Sequence, residues 1–349
     1  MAGEGSGNGP LRPRHPGRRD LLRVASLFVL PPALLAAGCD IRLEHDAPGL
    51  PAPQRRPVPD EAVLVDAARR TTALGQLAGR VPDPSAVVAL LGGLHRTQAE
   101  VLRGRLVAAG VPSQVIDGPT TPTTAASNPT ASNPTHGAAS NPTHGAAPTA
   151  AVSAPPSATE ADLARAEAAT AAALLPALPP VTAADRAVLV AVVAACATAA
   201  DQLGTPVAWP ATDPLPAAAA LPLLDDTRAA GYALVVVAAQ SSGEQRAKAL
   251  TTRTQLAARE AELVALAGTS APPPPLGYAL PFPVTDPDSA ARLATLVLTS
   301  LVAGGLAPLT PLPAGSMAVV PLVRFLVGAA ALARTWGVGA VPFPGLVYP

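Results

Sequence analysis

The sequence LGYALPFPVTDP, residues 276–287, begins the C-terminal region around which the chain is organised, and its prolines exclude a helix there. Two apolar helical segments follow, and the region closes with the tail WGVGAVPFPGL at 336–346. Three of the four Phe residues, one of the two Trp and two of the three Tyr lie in this region. Because large rings bury much area, we predict that Phe282, Trp336 and Phe343 anchor the proline-rich segments in a C-terminal helical bundle.

Composition favours an all-α protein with long connections between its helices. The length of 349 residues allows about two domains. The 49% hydrophobic content is ample for a core, and 43 Pro with 28 Gly indicate long non-helical segments. Alternating β-branched runs are nearly absent, so we expect no sheet. The net charge is zero, and no basic stripe with interleaved aromatic residues occurs, which excludes a nucleic-acid-binding surface.

Residues 1–38 have the layout of a bacterial export signal. The run RRDLLR at 18–23 resembles a twin-arginine motif, and an apolar segment then leads to Gly-Cys at Cys39. We predict cleavage before Cys39 and its diacylation, which would attach the protein to the outer face of the cell membrane. The proline-rich segment 39–59 is predicted to be an extended tether. A plain signal peptide and an N-terminal transmembrane anchor are the alternatives.

An N-terminal helical bundle is predicted from two hairpins, at 60–112 and 157–204, with apolar residues at helical spacing. Asp83 is the predicted N-cap of the second helix, with Pro84 at its first position. The run SATE at 157–160 is a predicted capping box.

The segment 113–156 is predicted to be a disordered insertion that contacts nothing in the core. The unit ASNPT occurs three times in it, and such a composition cannot bury enough surface to offset its ordering entropy. His136 and His144 are too far apart in such a segment to hold a metal ion firmly. A length-variable insertion without a role is the favoured interpretation, and O-glycosylation of its threonines is the alternative.

Four more helices are predicted in 215–349. The stretch 293–323 carries no charge and resembles a membrane-spanning hairpin by hydropathy. However, glycines and prolines divide it, and neither half reaches about twenty uninterrupted apolar residues. We therefore favour buried bundle helices over a transmembrane hairpin.

Two residues with ligand chemistry lie alone in the sequence of the N-terminal bundle. Cys196 follows the run VVAA and has nothing basic beside it, so a buried structural thiol is expected. His95 has only Glu100 and distant acids as possible partners, so we expect a solvated or capped histidine and not a metal ligand.

Several spaced segments together resemble the ferritin-like DUF4439 domain of actinobacterial lipoproteins. They are GYALVVV at 231–237, LGYALPFPV at 276–284, Trp336, and PFPGL at 342–346. The resemblance covers about 215–349 and implies a four-helix ferritin-like bundle whose role is largely uncharacterised. The upstream helices resemble the N-terminal half of the same lipoproteins less distinctly.

The ligands of a ferritin-like metal site are missing from this sequence. Such sites use Glu on two helices and Glu-x-x-His on two others, and no Glu-x-x-His occurs here. Where relatives carry Glu-His, this chain has Thr227 and Arg228, while Gln255 and Leu298 occupy two further ligand positions. We therefore predict no metal site and no cofactor. The weak alternative is a site built from the remaining acids of these helices, which are more easily explained as solvated: Asp225, Asp226, Glu260 and Glu262.

The sequence thus predicts a non-catalytic, membrane-anchored envelope lipoprotein of unknown role. Its helical bundles would bind an envelope protein or a small ligand. Neither a Gly-x-Ser-x-Gly motif nor a phosphate-binding glycine loop is present, so no enzyme class is indicated. The alternative is a ferritin-like metal or redox protein with an atypical carboxylate site.

Overall fold

A computed structural model describes residues 55–118 and 157–346. Within these ranges the secondary structure is helical and contains no strand, which confirms the predicted all-α fold. The predictions for the export signal and Cys39, for most of the 113–156 insertion, and for its two histidines lie outside the described residues.

The first group of helices brackets the insertion. α1 packs against α2 and α4, and α4 packs against α5. Because these helices meet around one apolar interior, the two predicted hairpins form a single bundle. The helices of this group are α1 (Glu61–Ala78), α2 (Ala86–Ala108), the short α3 (Ser113–Asp117), α4 (Glu160–Leu174) and α5 (Ala183–Gln202).

The start of α2 differs from the prediction by two residues. Ser85 is the N-cap, and its hydroxyl accepts a hydrogen bond from the backbone N–H of Val88 at 3.4 Å. Asp83, the predicted cap, adopts a left-handed backbone with φ 46°. That conformation turns the chain before the helix, so Asp83 and Pro84 belong to the preceding turn.

The capping box of α4 also lies further along the chain than predicted. Thr159 is the N-cap and exchanges hydrogen bonds with Asp162, whereas Ser157 precedes the box. The carboxylate of Glu160 instead accepts a hydrogen bond from the backbone of Ser85, at 3.2 Å. The side chain expected to cap α4 therefore ties its start to the start of α2.

The predicted insertion began too early, because the chain is still structured after residue 112. The helix α3 occupies Ser113–Asp117, and its Ile116 is buried in the core. Arg69 of α1 donates hydrogen bonds to the carbonyls of Val115 and Ile116 at 2.7 and 2.8 Å. The apolar Ile116 was the signal that this end of the segment packs, whereas Val115 is exposed.

The helix α5 is the central element of the fold. Consecutive residues from Val188 to Ala200 are buried, and α5 packs against α4 on one side and α9 on the other. A helix that is apolar on all sides must be surrounded by protein. This position lets α5 contribute side chains to two different interior sites.

The second group of helices follows in 215–346 and shares the core of the first through α5. α6 packs against α7 and α8, and α8 packs against α9. The described residues from Arg56 onward therefore form one compact unit. The helices of this group are α6 (Ala217–Ala239), α7 (Gly243–Ala267), α8 (Pro287–Gly304) and α9 (Val319–Thr335).

Two helical segments within the described residues are long and apolar enough to cross a membrane. In α5, 78% of the relevant window is buried inside the protein, as expected for a core helix. The second, Pro287–Leu309, is 39% buried and presents Leu293, Leu298 and Leu301 to the interior. Length and composition alone are weak grounds for a membrane span.

Candidate metal centre

Three ligand-bearing side chains meet in the core of the first helical group. His95 comes from α2, Glu167 from α4 and Cys196 from α5, and all three have 0% exposure. Their potential ligand atoms all lie within 4.8 Å of one another. The histidine expected to be solvated is thus fully buried, and the isolated thiol has two polar neighbours in space.

The spacing of the buried residues along α2 and α4 explains why these polar side chains point inward. His95 and Gln98 continue the buried face of α2 that runs from Leu91 to Leu102. Glu167 stands four residues after Leu163, which is also buried. Residues three and four apart share one face of a helix, so the apolar periodicity carries these polar side chains into the core.

The orientation of His95 is fixed by a hydrogen-bonded chain. The side-chain amide of Gln98 donates through Nε2 to the carbonyl oxygen of Pro342, at 2.6 Å. Its Oε1 therefore accepts from Nδ1 of His95, at 2.9 Å. With the Nδ1 proton assigned in this way, Nε2 is the atom that faces Glu167 Oε1, which it contacts directly.

Glu167 is only half satisfied by this arrangement. Its Oε1 contacts the imidazole of His95, whereas its buried Oε2 has no hydrogen-bond partner among the described residues. Most buried polar atoms in proteins have a partner, and an unpaired carboxylate oxygen is costly. A positive ion at this position would satisfy it.

Burial and the neighbouring carboxylate of Glu167 both change the pKa of the Cys196 thiol. Burial raises its pKa well above the ordinary value, and the negative charge of Glu167 raises it further. Without a cation, Cys196 is therefore a neutral thiol. A metal ion changes this, because a coordinating thiol gives up its proton.

The donor set determines which ion fits. One imidazole nitrogen, one carboxylate oxygen and one thiolate sulfur are ligands that Zn²⁺ accepts in four-coordinate sites. Hard cations such as Mg²⁺ and Ca²⁺ prefer all-oxygen sites, so they are disfavoured by the sulfur. The hydrogen bond from His95 Nδ1 to Gln98 is the outer contact that typically orients a metal-binding histidine.

The four acids of the alternative carboxylate site do not form a centre. Asp225 accepts a hydrogen bond from the hydroxyl of Tyr278 at 3.1 Å, and Glu260 pairs with Arg228 at 2.8 Å. Glu262 is exposed, while Asp226 is half-buried beside the backbone of α8. Within the part of the chain that the structure describes, the only group of three or more potential ligands is His95, Glu167 and Cys196.

The three aromatic residues proposed as anchors occupy different environments. Trp336 is buried and donates its indole N–H to Thr252 Oγ1 at 3.1 Å. Phe282 is half-buried, with the guanidinium of Arg292 5.3 Å from its ring centre. Phe343 is buried, but it lines a cavity shared with α2 and α5, so the tail lies across both helical groups and not on the C-terminal bundle alone.

Sequence reasoning missed the centre because its members stand 72 and 29 positions apart in the chain and belong to no motif. Glu167 was not considered at all. The available signal was positional, since Glu167 and Gln98 stand where the apolar spacing of their helices requires a buried residue.

No family model matches this chain, and neither a curated protein nor a solved structure matches it. The resemblance to ferritin-like lipoproteins therefore stays a prediction.

Proposed function

We propose that this chain is an envelope protein whose helical core binds one divalent transition-metal ion, best Zn²⁺, through His95, Glu167 and Cys196. The observation that carries the proposal is the unpartnered Oε2 of Glu167, which is fully buried beside an imidazole and a thiol. A His–Glu pair alone leaves this oxygen without a partner. An ion held between the three side chains satisfies all of them.

The proposal implies a rearrangement inside the centre. An ion cannot occupy the space between His95 Nε2 and Glu167 Oε1 while these atoms touch, so binding would replace their direct contact with two metal–ligand bonds. The proton of the Cys196 thiol would be released at the same time. Metal affinity should therefore rise with pH.

A structural role fits this centre better than a catalytic one. All three side chains have 0% exposure, whereas a catalytic ion must meet its substrate at an open position. A structural ion instead joins α2, α4 and α5, whose contributions come from both sides of the insertion. Such an ion contributes its binding free energy to folding.

The setting that we propose is the outer face of the cell membrane, with Cys39 carrying the lipid anchor. Arg18-Arg19 and Gly38-Cys39 support it. Mass spectrometry of the mature N-terminus tests this part separately, and an unmodified N-terminus elsewhere would contradict it.

We also propose that α6 to α9 form a ferritin-like bundle that lacks the usual metal ligands. In support, the crossover 268–286 between α7 and α8 is the longest of the three connections, against 240–242 between α6 and α7 and 305–318 between α8 and α9. Ferritin-like bundles have one such long connection. On this proposal the metal site lies in the other helical group.

Metal analysis of the purified full-length chain tests the function. We expect about one zinc per chain after exposure to zinc and removal of excess metal by gel filtration. Cys196→Ala and Glu167→Gln should lose this zinc, with circular dichroism showing that each variant is still helical.

The matched control is Asp226→Ala, which removes a half-buried carboxylate from the other helical group and should leave the zinc in place. Loss of zinc in Asp226→Ala with retention in Cys196→Ala would overturn the proposal and favour the carboxylate site. Absence of bound metal from the unaltered chain would overturn both.

A further inference from the structure

A cavity of about 160 Å³ lies beneath the C-terminal tail, where α5, α8 and α9 meet. Most of its wall is apolar, and this part includes Leu91 and Leu94 of α2 together with Phe343 and Leu346 of the tail. The volume is close to that of an engineered apolar cavity of about 150 Å³ that binds benzene. The cavity therefore has room for an apolar group of about six carbon atoms.

The remaining wall of the cavity is polar and is contributed by Thr198 and Gln202 of α5, Thr299 of α8 and Arg334 of α9. The hydroxyl of Thr198 is buried and has no hydrogen-bond partner among the described residues, and the residue as a whole is 6% exposed. A buried hydroxyl normally finds a partner. Because Thr198 lines the cavity, a polar group of a bound ligand could supply the partner that this hydroxyl lacks.

Arg334 supplies a positive charge that is only weakly paired with other groups of the protein. Its side chain is 21% exposed, and its Nη1 donates one long hydrogen bond, 3.4 Å, to the carbonyl of Thr198. The nearest carboxylate is that of Asp201, which is 4.0 Å away and half exposed. A guanidinium has five N–H donors in a fork that matches a carboxylate, so this group can accept a second anionic partner.

We propose that this cavity binds a small amphiphilic carboxylic acid, with the carboxylate at Arg334, Thr198 and Gln202 and the hydrocarbon chain against the apolar wall. A charge-assisted bond to Arg334 gives the site its preference for an anion. The hydroxyl of Thr198 and the amide of Gln202 complete the polar end. The cavity shares none of its lining residues with the metal centre, so the two proposals stand independently.

The position of the tail explains how such a ligand would be enclosed. Residues 338–346 form one side of the cavity, and Pro342 is tied to Gln98 by the hydrogen bond described above. A ligand seated beneath the tail would bury the apolar surface of Phe343 still further. Binding should therefore also raise the melting temperature, because it stabilises the native state alone.

Titration calorimetry of the full-length chain with hexanoate and with hexanol tests the proposal. The two probes have chains of the same length, and only hexanoate carries a charge. We expect hexanoate to bind with a dissociation constant at or below about 1 mM and hexanol about tenfold more weakly. Equal affinity for the two probes, or no binding of hexanoate, would overturn the proposal without use of any variant.

Two arginine variants test whether the carboxylate of hexanoate binds at Arg334. Arg334→Gln should weaken hexanoate binding about tenfold and leave hexanol binding unchanged. The matched control is Arg324→Gln, which removes the same charge from an exposed position of α9 and should not change either affinity. If Arg324→Gln weakens hexanoate binding as much as Arg334→Gln does, the effect is one of net charge and the assigned site is wrong.

Thr198→Val separates the hydroxyl from the charge. Valine has nearly the same shape, so we expect the ligand-free protein to be at least as stable, because an unpartnered buried hydroxyl is removed. Hexanoate binding should nevertheless fall several-fold. Unchanged binding would show that Thr198 does not contact the carboxylate and would overturn this part of the assignment.

Discussion

The two helical groups differ in the burial and pairing of their acidic side chains. The first group buries a histidine, a glutamate and a cysteine together at 0% exposure, and one carboxylate oxygen is left without a partner among the described residues. The second group keeps Asp225 and Glu262 exposed and pairs Glu260, which is 34% exposed, with the buried Arg228. The number of acidic residues alone would place a metal site in the second group. Burial and the unsatisfied carboxylate oxygen place it in the first group.

The largest expected difference between the groups concerns the partners of their buried and partly exposed glutamates. His95→Ala leaves the buried carboxyl group of Glu167 without its hydrogen-bond partner and empties the space of the imidazole, so we expect a loss of about 3–5 kcal/mol in the free energy of unfolding. Glu260→Ala removes a carboxylate that is 34% exposed, and Arg228 still donates to the carbonyl of Pro272, so about 1 kcal/mol is expected.

Urea unfolding in the presence of a chelator measures both losses without a metal contribution. Equal losses would mean that the fully buried pair contributes no more than the partly exposed pair, and the contrast between the two groups would not hold.

The aromatic residues provide the next comparison. Phe343 is 3% exposed between the two groups, so Phe343→Ala should cost about 3 kcal/mol, the usual range for emptying a buried aromatic site. Phe282 is only half-buried on the second group, so Phe282→Ala should cost about 1 kcal/mol. Urea unfolding of both variants ranks them, and the reverse order would show that the crossover, and not the tail, holds the structure together.

The helical architecture could be predicted from the sequence because it depends on local spacing. The start of α8 is an example, since Asp286 is its N-cap, Pro287 is its first residue, and Asp286 forms a capping box with Ser289. The centre could not be predicted in this way. His95, Glu167 and Cys196 come from three helices separated by a long insertion, and only tertiary packing brings them together.

The same limit explains the error for His95. Its sequence neighbours offer no ligand, so the sequence predicts a solvated or capped histidine, although His95 stands on the face of Leu91 and Leu102. The alanine-rich sequence of α4 hides which face is buried, since small residues occur on all sides. The local signal of burial for Glu167 is therefore limited to its spacing of four residues from Leu163.

The smallest expected effect concerns a single carboxylate of the second group. Burial, and then repulsion from Asp225, raise the pKa of Asp226 above its ordinary value. A raised pKa means that the native state binds the proton more tightly than the unfolded state, so ionisation of Asp226 destabilises the protein as the pH rises through this pKa. Asp226→Asn should therefore raise the melting temperature at pH 7.

The gain should disappear as the pH falls to the ordinary pKa of aspartate, where both states are protonated. Asp225→Asn is the matched control and should stabilise less, because burial is the larger cause of the shift. Thermal unfolding followed by circular dichroism at several pH values measures both variants. A gain from Asp226→Asn that does not depend on pH would contradict this account of the second group.

Cobalt absorption spectroscopy tests the metal centre of the first group most directly. Co²⁺ substitutes for Zn²⁺ and reports on its own ligands, because a bound thiolate adds an intense charge-transfer band in the near ultraviolet. We expect the full-length chain to bind about one Co²⁺ with this band, and to lose the band in Cys196→Ala while Asp226→Ala retains it. A cobalt spectrum without a thiolate band, or a band that survives in Cys196→Ala, would contradict a metal centre at His95, Glu167 and Cys196.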